Sequence, residues 1–367
     1  MKTGKNRQAR DLSLRLGQVF MMGMPGPQLD QGTRTLLRDF NIGGIILFAR
    51  NIQDPVQVAR LCRDLQEQAM KAHGTPLFLA VDQEGGRVAR LGAPFTVFPG
   101  NAAIGAAEEP VKRAAEFGRV TAGEMRLVGL NMDLAPVVDV RRGAIEKHLE
   151  GRSFGEEPEK VALLGATVIA SLQDNGVMAV AKHFPGLGRA SIDPHHHLPR
   201  IDVDRKEIRK VNLPPFDAAV RAGVCGIMTS HALYPALDPE RPATLSPSVL
   251  RRLLRNEMGF EGLVLTDDLE MGAIATRWGV PEGAAMAFEA GADILLICEH
   301  QRNVYEAFEL ILGRLRQGKI PIRRLEDSCE RVGAAKASFL AAAKKVSLRS
   351  VERYFSTRSP VGEAEET

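Results

Sequence analysis

Seven short apolar runs recur along this 367-residue chain, and each is followed by a stretch with helical periodicity. None of the runs alternates apolar with polar residues, which is typical of parallel strands that helices cover on both faces. The runs occupy residues 42–48, 77–82, 132–140, 177–184, 224–230, 262–268 and 292–298. Their spacing favours an α/β fold, a single-domain TIM-like (β/α)8 barrel with one unit degenerate or missing. No glycine-rich dinucleotide fingerprint follows the first run, which argues against a doubly wound sheet.

The two ends of the chain differ in composition. We expect residues 1–345 to form the catalytic barrel and residues 346–367 to form a partly disordered C-terminal tail, because the last residues, "SPVGEAEET", are polar and acidic. The basic N-terminus lacks the apolar core and cleavage site of a signal peptide. No apolar run approaches the roughly 18 residues of a membrane span.

Charge and cysteine content narrow the class of protein. A net charge of +3 gives no reason to expect nucleic acid or a membrane surface as a partner. The four cysteines are far apart and show no paired spacing, which favours reduced thiols. We therefore expect a soluble, cytoplasmic protein that acts on a small molecule.

Polar residues concentrate where the predicted strands stop. Five segments share this position: 82–90, 137–140, 182–188, 229–235 and 266–271. In a (β/α)8 barrel these ends converge on one face, where catalysis occurs. Helix capping could explain any one of them, Asp267 or Asp268 included, but it does not account for five at equivalent positions.

Several of these residues suit work on a sugar. Asp267 follows a buried strand directly and could be a carboxylate nucleophile that attacks an anomeric carbon. Lys182 and His183 could donate to substrate hydroxyls, although a structural ion pair remains open for Lys182. Asp82 can accept from hydroxyls and Arg90 can donate as a fork. Arg87 fits a solvated turn equally well, and spacing alone leaves Arg152 undecided.

The segment "GLGRASIDPHHHLPRID" (186–202) contains three consecutive histidines. Pro194 favours an extended backbone at Asp193, so that Asp193 and His195 lie on one side and His196 on the other. A carboxylate beside an imidazole makes a general acid/base pair. Glycines and prolines around it suit a loop that moves over a site. Consecutive histidines cannot easily aim all their rings at one ion, so we expect no metal; a metal-dependent hydrolase using His183 and a sugar-binding sensor remain alternatives.

Together these segments resemble the glycoside hydrolase family 3 β-N-acetylhexosaminidases of the bacterial peptidoglycan-recycling type. The similarity covers about residues 12–340, with the matching segments in the family's order. They are 43–51, 80–90, 131–140, 151–155, 181–188, 193–195, 228–235, 242–247 and 265–274.

The resemblance implies a retaining mechanism with Asp267 as nucleophile and His195, paired with Asp193, as acid/base. It implies substrate binding by the family's matching positions, which are Asp82, Arg90, Arg152, Lys182 and His183. The implied substrate is a terminal β-linked N-acetylglucosamine on 1,6-anhydro-muropeptides, with no cofactor and a monomeric enzyme. The length also leads us to expect no additional C-terminal domain.

The histidine loop departs from the family pattern at three positions. Leu187 stands where the family usually has histidine, Arg189 where it has aspartate, and Pro194 where it has serine. Arg189 would add positive charge near the site, so phosphorolysis with phosphate as acceptor is an alternative to hydrolysis.

Overall fold

The computed structural model describes residues 2–143, 147–341 and 345–357. Eight parallel strands form one sheet: the first seven pair in chain order, and the eighth pairs with the first. They are β1 (Phe20–Met22), β2 (Gly44–Leu47), β3 (Phe78–Val81), β4 (Met132–Asp133), β5 (Met178–Phe184), β6 (Gly226–Thr229), β7 (Leu263–Leu265) and β8 (Leu295–Ile297). A parallel bridge between Leu265 and Ile294 links β7 to the start of β8. The predicted (β/α)8 barrel is thus confirmed.

The unit that the sequence left degenerate or missing is the first one. Strand β1 has only three residues, Phe-Met-Met, all of them buried. It pairs with β8 from Phe20 to Leu295 and with β2 from Met21 to Gly44. It carries no β-branched residue, so neither length nor composition distinguished it from a buried turn.

Helices surround the barrel and connect its strands. They are α1 (Lys2–Gly17), α2 (Gln31–Thr35), α3 (Pro55–His73), α4 (Asn101–Ala106), α5 (Pro110–Val128), α6 (Pro158–Asp174), α7 (Arg205–Glu207), α8 (Leu213–Arg221), α9 (Gly272–Trp278), α10 (Val280–Ala290), α11 (Gln301–Arg316), α12 (Ile322–Leu340) and α13 (Leu348–Ser356). A π-helical segment, Ser248–Glu257, connects β6 to β7. A short hairpin of Gln83–Gly85 and Val88–Ala89 follows β3.

Local chemistry explains where such helices begin and end. At α3 the side chain of Asp54 accepts from the N–H groups of Val56 and Gln57. Pro55 occupies the first helical position, where a missing N–H costs nothing. Gly74 ends the helix with a left-handed backbone (φ 67°), which a residue without Cβ adopts readily.

The N-terminal end of the barrel is sealed by α12. Val332 and Leu340 of this helix pack into the apolar cluster that fills the barrel interior. Lys336 reaches Gln18 Oε1 (2.7 Å) and the carbonyl oxygen of Gly43 (3.0 Å), immediately before strands β1 and β2. The open end of the barrel is therefore the one formed by the carboxyl ends of the strands.

The segment expected to be a C-terminal tail contains a packed helix. Helix α13 buries Val351 and Phe355, four residues apart on one face. The ring of Phe355 meets that of Phe95 edge-on, with centroids 4.7 Å apart. Residues 348–356 of the expected tail thus form a helix, because two apolar residues one turn apart suffice to dock it. The division of the chain at residue 346 stays a prediction. The acidic end, residues 358–367, lies outside the described residues.

Among the described residues, none of the helices combines the length and apolar character needed to cross a bilayer. The four cysteines are free thiols, and three of them are buried.

Candidate active site

A cleft of about 370 Å³ opens at the carboxyl ends of the strands. All the sequence-predicted site residues except Asp193 line it: Asp82, Arg90, Arg152, Lys182, His183, His195 and Asp267. They come from the carboxyl end of β5 and from the segments after β3, β4, β5 and β7. The convergence expected for a barrel therefore brings together residues that are up to 185 positions apart in the chain.

Asp267 lies two residues beyond the end of β7. Its Oδ1 accepts the N–H of Asp268 (2.8 Å). Burial acts to raise the pKa of Asp267, but the electrostatic influence of the neighbouring His183 and His231 outweighs it, so that the pKa lies below its usual value. No side chain caps α9, so the capping alternative for Asp267 and Asp268 is not realised. Asp267 is thus held as a carboxylate at the cleft.

Lys182 is the centre of a buried charge network. Its Nζ lies 2.6 Å from Asp82 Oδ1 and 2.7 Å from Glu84 Oε1. Glu84 also accepts a two-pronged bond from Arg152, with both N–O distances 2.8 Å. Burial penalises these charges, yet the neighbouring opposite charges hold the pKa of Glu84 below and that of Lys182 above its usual value. The ion-pair alternative for Lys182 is therefore realised, with Asp82 and Glu84 as partners rather than Asp267.

His183 is oriented by a carboxylate that sequence reasoning did not single out. Its Nδ1 lies 2.7 Å from Asp139 Oδ2. The other oxygen of Asp139 accepts the N–H groups of His183 (3.2 Å) and Leu187 (2.6 Å). Because Nδ1 is engaged by this carboxylate, Nε2 is the ring atom available to a ligand in the cleft.

A second buried histidine, His231, supports the loop that carries Asp267. His231 contacts Thr244 Oγ1 (2.7 Å) through Nδ1 and the carbonyl oxygen of Asp268 (2.9 Å) through Nε2. Burial lowers the pKa of His231. Sequence reasoning missed Glu84, Asp139 and His231, although all three fall in the polar segments that follow the strands. Their place in these segments is the feature of the sequence that could have identified them.

The structure brings Asp193 and His195 together. Asp193 Oδ1 lies 2.6 Å from His195 Nδ1 and accepts its backbone N–H at 2.8 Å. The backbone is a turn rather than the expected extended chain, since His196 and His197 both donate to the carbonyl oxygen of Asp193. Burial acts to raise the pKa of Asp193, but the bonds from His195 outweigh it and the pKa is lowered. Nδ1 of His195 is thus tied to a carboxylate while its ring lines the cleft.

The loop that carries this pair is docked on the loop that carries Asp267. The N–H of Gly272 donates to the carbonyl oxygen of His195 (2.8 Å). The N–H of Ala273 donates to that of Pro194 (3.1 Å). Both donors belong to the first turn of α9, so its otherwise unsatisfied amides hold the histidine loop in place.

The unusual residues of the histidine loop lie apart from one another. Leu187 is buried and lines the cleft. Arg189 forms an ion pair with Glu207 and does not line the cleft. The positive charge that Arg189 was expected to add near the site is therefore neutralised elsewhere. His196 and His197 are exposed and do not line the cleft either.

Two arginines on the hairpin after β3 have different surroundings. The guanidinium of Arg90 lies 6.0 Å from the ring centroid of Phe48, and its buried Nε has no partner among the described residues. Arg87 donates to the carbonyl oxygen of Lys147 (2.7 Å). Arg90 thus lines the cleft and has no acceptor at its Nε among these residues, whereas Arg87 braces a neighbouring loop.

No group of three histidine, cysteine or acidic side chains in the described part of the chain is arranged to hold a metal ion. The histidine triplet in particular does not converge on one point.

Comparison with known proteins shows which family the chain belongs to. Residues 12–335 match the model of the glycosyl hydrolase family 3 N-terminal domain. The chain belongs to glycoside hydrolase family 3. Its barrel and cleft are thus those of a glycoside hydrolase.

Three relatives illustrate the family 3 similarity. A beta-hexosaminidase of Alkalilimnicola ehrlichii is 38% identical over 289 residues, which cover 77% of this chain and 81% of the relative. A family 3 beta-N-acetylglucosaminidase structure from Paenibacillus sp. has a TM-score of 0.88 at 37% identity, covering 95% of this chain and 68% of that one. The structure of NagZ from Neisseria gonorrhoeae has a TM-score of 0.76 at 30% identity, covering 93% of this chain and 95% of that one.

Proposed function

We propose that this family 3 enzyme is a retaining exo-β-N-acetylglucosaminidase. The observation that carries the proposal is that the ionised carboxylate of Asp267 and the ring of His195, which Asp193 orients, line the same cleft. The names of two relatives, a beta-hexosaminidase and a beta-N-acetylglucosaminidase, support the choice of sugar.

The proposed reaction has two steps. In the first, Asp267 attacks the anomeric carbon while the protonated imidazole of His195 gives its proton to the departing glycosidic oxygen. In the second, neutral His195 takes a proton from water, whose oxygen attacks the anomeric carbon and releases Asp267. Two displacements at one carbon retain the β configuration. Asp193 holds the ring by Nδ1, which leaves Nε2 to carry the proton.

The substrate-binding group surrounds the proposed nucleophile. Asp82 accepts from sugar hydroxyls and Lys182 donates to them, and the ion pair between the two orients both side chains. His183 offers Nε2, and Arg90 lines the cleft as a further donor. Arg152 binds through its remaining N–H groups, since Glu84 occupies only one edge of the guanidinium.

We further propose that the natural substrates are peptidoglycan fragments with a terminal N-acetylglucosamine, and that water rather than phosphate is the acceptor. Arg189, the residue that raised the possibility of phosphate, is paired with Glu207 outside the cleft. The cytoplasmic location and the monomeric state stay predictions.

One incubation tests this proposal. The protein is mixed with N-acetylglucosaminyl-1,6-anhydro-muropeptide, with and without inorganic phosphate, and the sugar products are identified by mass spectrometry and NMR. We expect β-N-acetylglucosamine as the first-formed product in both mixtures. N-acetylglucosamine 1-phosphate would overturn the choice of water, and no cleavage would overturn the proposed substrate.

A further inference from the structure

A further histidine faces the acid/base pair from outside its loop. His148 lies in the short 3-10 turn Lys147–Leu149, between β4 and α6. Its Nδ1 is 3.9 Å from Asp193 Oδ1, and its ring meets that of His195 edge-on with centroids 5.9 Å apart. The His148 side chain is 12% exposed, whereas that of His195 is 56% exposed. His148 lines the cleft, and the proposed reaction does not use it.

The carboxylate of Asp193 therefore lies between two imidazoles on different segments. The bond to His195 joins two residues of the same turn, so it orients the ring but cannot hold the turn against the barrel. His148 belongs to another loop and can do so. Both histidines favour the ionised form of Asp193 and lower its pKa. A protonated or donating imidazole beside an ionised carboxylate is attractive at this distance.

His148 itself has firm support from the barrel. The neighbouring Leu149 is buried (3% exposed). Arg152 Nη1 donates to the carbonyl oxygen of His148 (3.3 Å), and Arg87 donates to that of Lys147 (2.7 Å). Arg152 is in turn held by Glu84, the partner of Lys182. Continuous contacts thus run from the sugar-binding network to the acid/base loop.

We propose that His148 is a positioning residue for the acid/base pair: it anchors the carboxylate of Asp193, and with it the ring of His195, over the cleft. The N–H groups of Gly272 and Ala273 hold the backbone of the same loop. His148 supplies the side-chain anchor. The part played by the pair itself rests on the proposed function.

Kinetics with two leaving groups test this role. His148→Phe keeps a ring of similar size but removes the nitrogen that faces Asp193. We measure kcat/KM on 4-nitrophenyl and phenyl N-acetyl-β-glucosaminides, since the poorer phenol leaving group needs the proton more. A misplaced acid should lower kcat/KM about fivefold or more for the phenyl substrate and less than about twofold for the nitrophenyl one. Equal losses on both, or no loss, would overturn the proposal.

Two single variants and one double variant test whether His148 acts through Asp193. His148→Gln retains a donor that can reach the carboxylate and should restore part of the lost activity on the phenyl substrate. His196→Phe makes the same change at an exposed ring of the same loop and should behave like the wild type. In the Asp193→Asn background, His148→Phe should cause little further loss. Full additivity of the two changes would contradict an action through Asp193.

Hydrogen–deuterium exchange separates this proposal from the proposed function, because it requires no turnover. Peptides covering residues 190–204 should exchange faster in His148→Phe than in the wild type or His196→Phe, with the barrel strands unchanged. Unchanged exchange in that segment would overturn the anchoring role even if the enzyme is active. Faster exchange would support it even if no N-acetylglucosaminide is cleaved.

Discussion

At the scale of single residues, the site depends on buried charges that neutralise one another. Glu84 is bonded to both Lys182 and Arg152 and has a side chain only 1% exposed. Removing one member of such a group leaves the others buried and unpaired, which costs far more than the group contributes as a whole. Glu84 therefore holds two cleft cations in place although it does not line the cleft itself.

Glu84→Gln should lower the free energy of unfolding by about 3 kcal/mol and kcat/KM by at least about tenfold, because Lys182 and Arg152 lose their shared counter-charge. Urea unfolding and steady-state kinetics measure the two effects. Glu299→Gln is the matched control: its side chain is 52% exposed and pairs with Arg50, so stability should change by about 1 kcal/mol or less. Similar stability for the two variants would contradict the role of Glu84.

Asp268 should make the stability of the fold depend on pH. Burial, together with the charges of Glu270 and Asp267, raises its pKa to about 7, compared with about 3.9 in an unfolded chain. Between these values the folded protein keeps a proton that the unfolded chain has released, so this group's contribution to stability falls as the pH rises from about 4 to 7. Asp268→Asn lacks this loss and, at about 1.4 kcal/mol per pKa unit, should gain about 4 kcal/mol relative to the wild type over that range. Parallel stability–pH curves for the two proteins would contradict it.

The sequence identifies several residues of the cleft but not the side chains that hold them in place. Asp82, Lys182, His183 and Asp267 were found because they stand at the ends of recognisable strands. Glu84, Asp139 and His231 are in the same segments, but their partners are defined only when separate strands meet. The Asp193–His195 contact was predicted, but for the wrong reason, since the backbone turns instead of extending.

At the scale of elements, the first turn of α9 and the histidine loop form one unit. An added Cβ at Gly272 would lie 2.6 Å from the carbonyl oxygen of His196 and 2.8 Å from that of His195. Real atoms do not approach so closely, so a side chain here would displace the loop. The loop with Asp267 and the loop with His195 are thus fitted to each other by a glycine.

Gly272→Ala should therefore weaken proton donation more than nucleophilic attack. We expect kcat/KM for the phenyl substrate to fall about tenfold, with a smaller loss for the nitrophenyl substrate, because a displaced acid is poorly aligned. Gly313→Ala, on α11 with open space around the added methyl, is the control and should leave both values unchanged. Wild-type kinetics in Gly272→Ala would show that the contact is unimportant.

At the scale of the whole molecule, the groups that stabilise the barrel and those that line the cleft lie at its opposite ends. Its N-terminal end is closed by α12, where buried Asp293 pairs with Arg255, Arg324 and Arg331. Its other end holds the cleft. Seven of the barrel units could be predicted because strands covered on both faces are apolar throughout. Strand β1 and helix α13 could not, because three residues and nine residues hold too little pattern to be told from loops.

Helix α13 should contribute to the stability of the whole fold but not to activity. Phe355→Ala removes a ring that packs against Phe95 and should lower the free energy of unfolding by about 3 kcal/mol. Its kcat/KM should stay within about twofold of the wild type, because neither residue lines the cleft. A loss below about 1 kcal/mol in thermal or urea unfolding would mean that the helix contributes little to the fold.

The central claim for the whole enzyme is a covalent glycosyl intermediate on Asp267, and trapping tests it most directly. The protein is incubated with a 5-fluoro N-acetylglucosaminyl fluoride, which forms the intermediate faster than it is hydrolysed, and is then digested and analysed by tandem mass spectrometry. If Asp267 is the nucleophile, we expect one sugar adduct per chain, on Asp267, and none in Asp267→Asn. An adduct on another residue, or turnover of this reagent by Asp267→Asn at the wild-type rate, would contradict it.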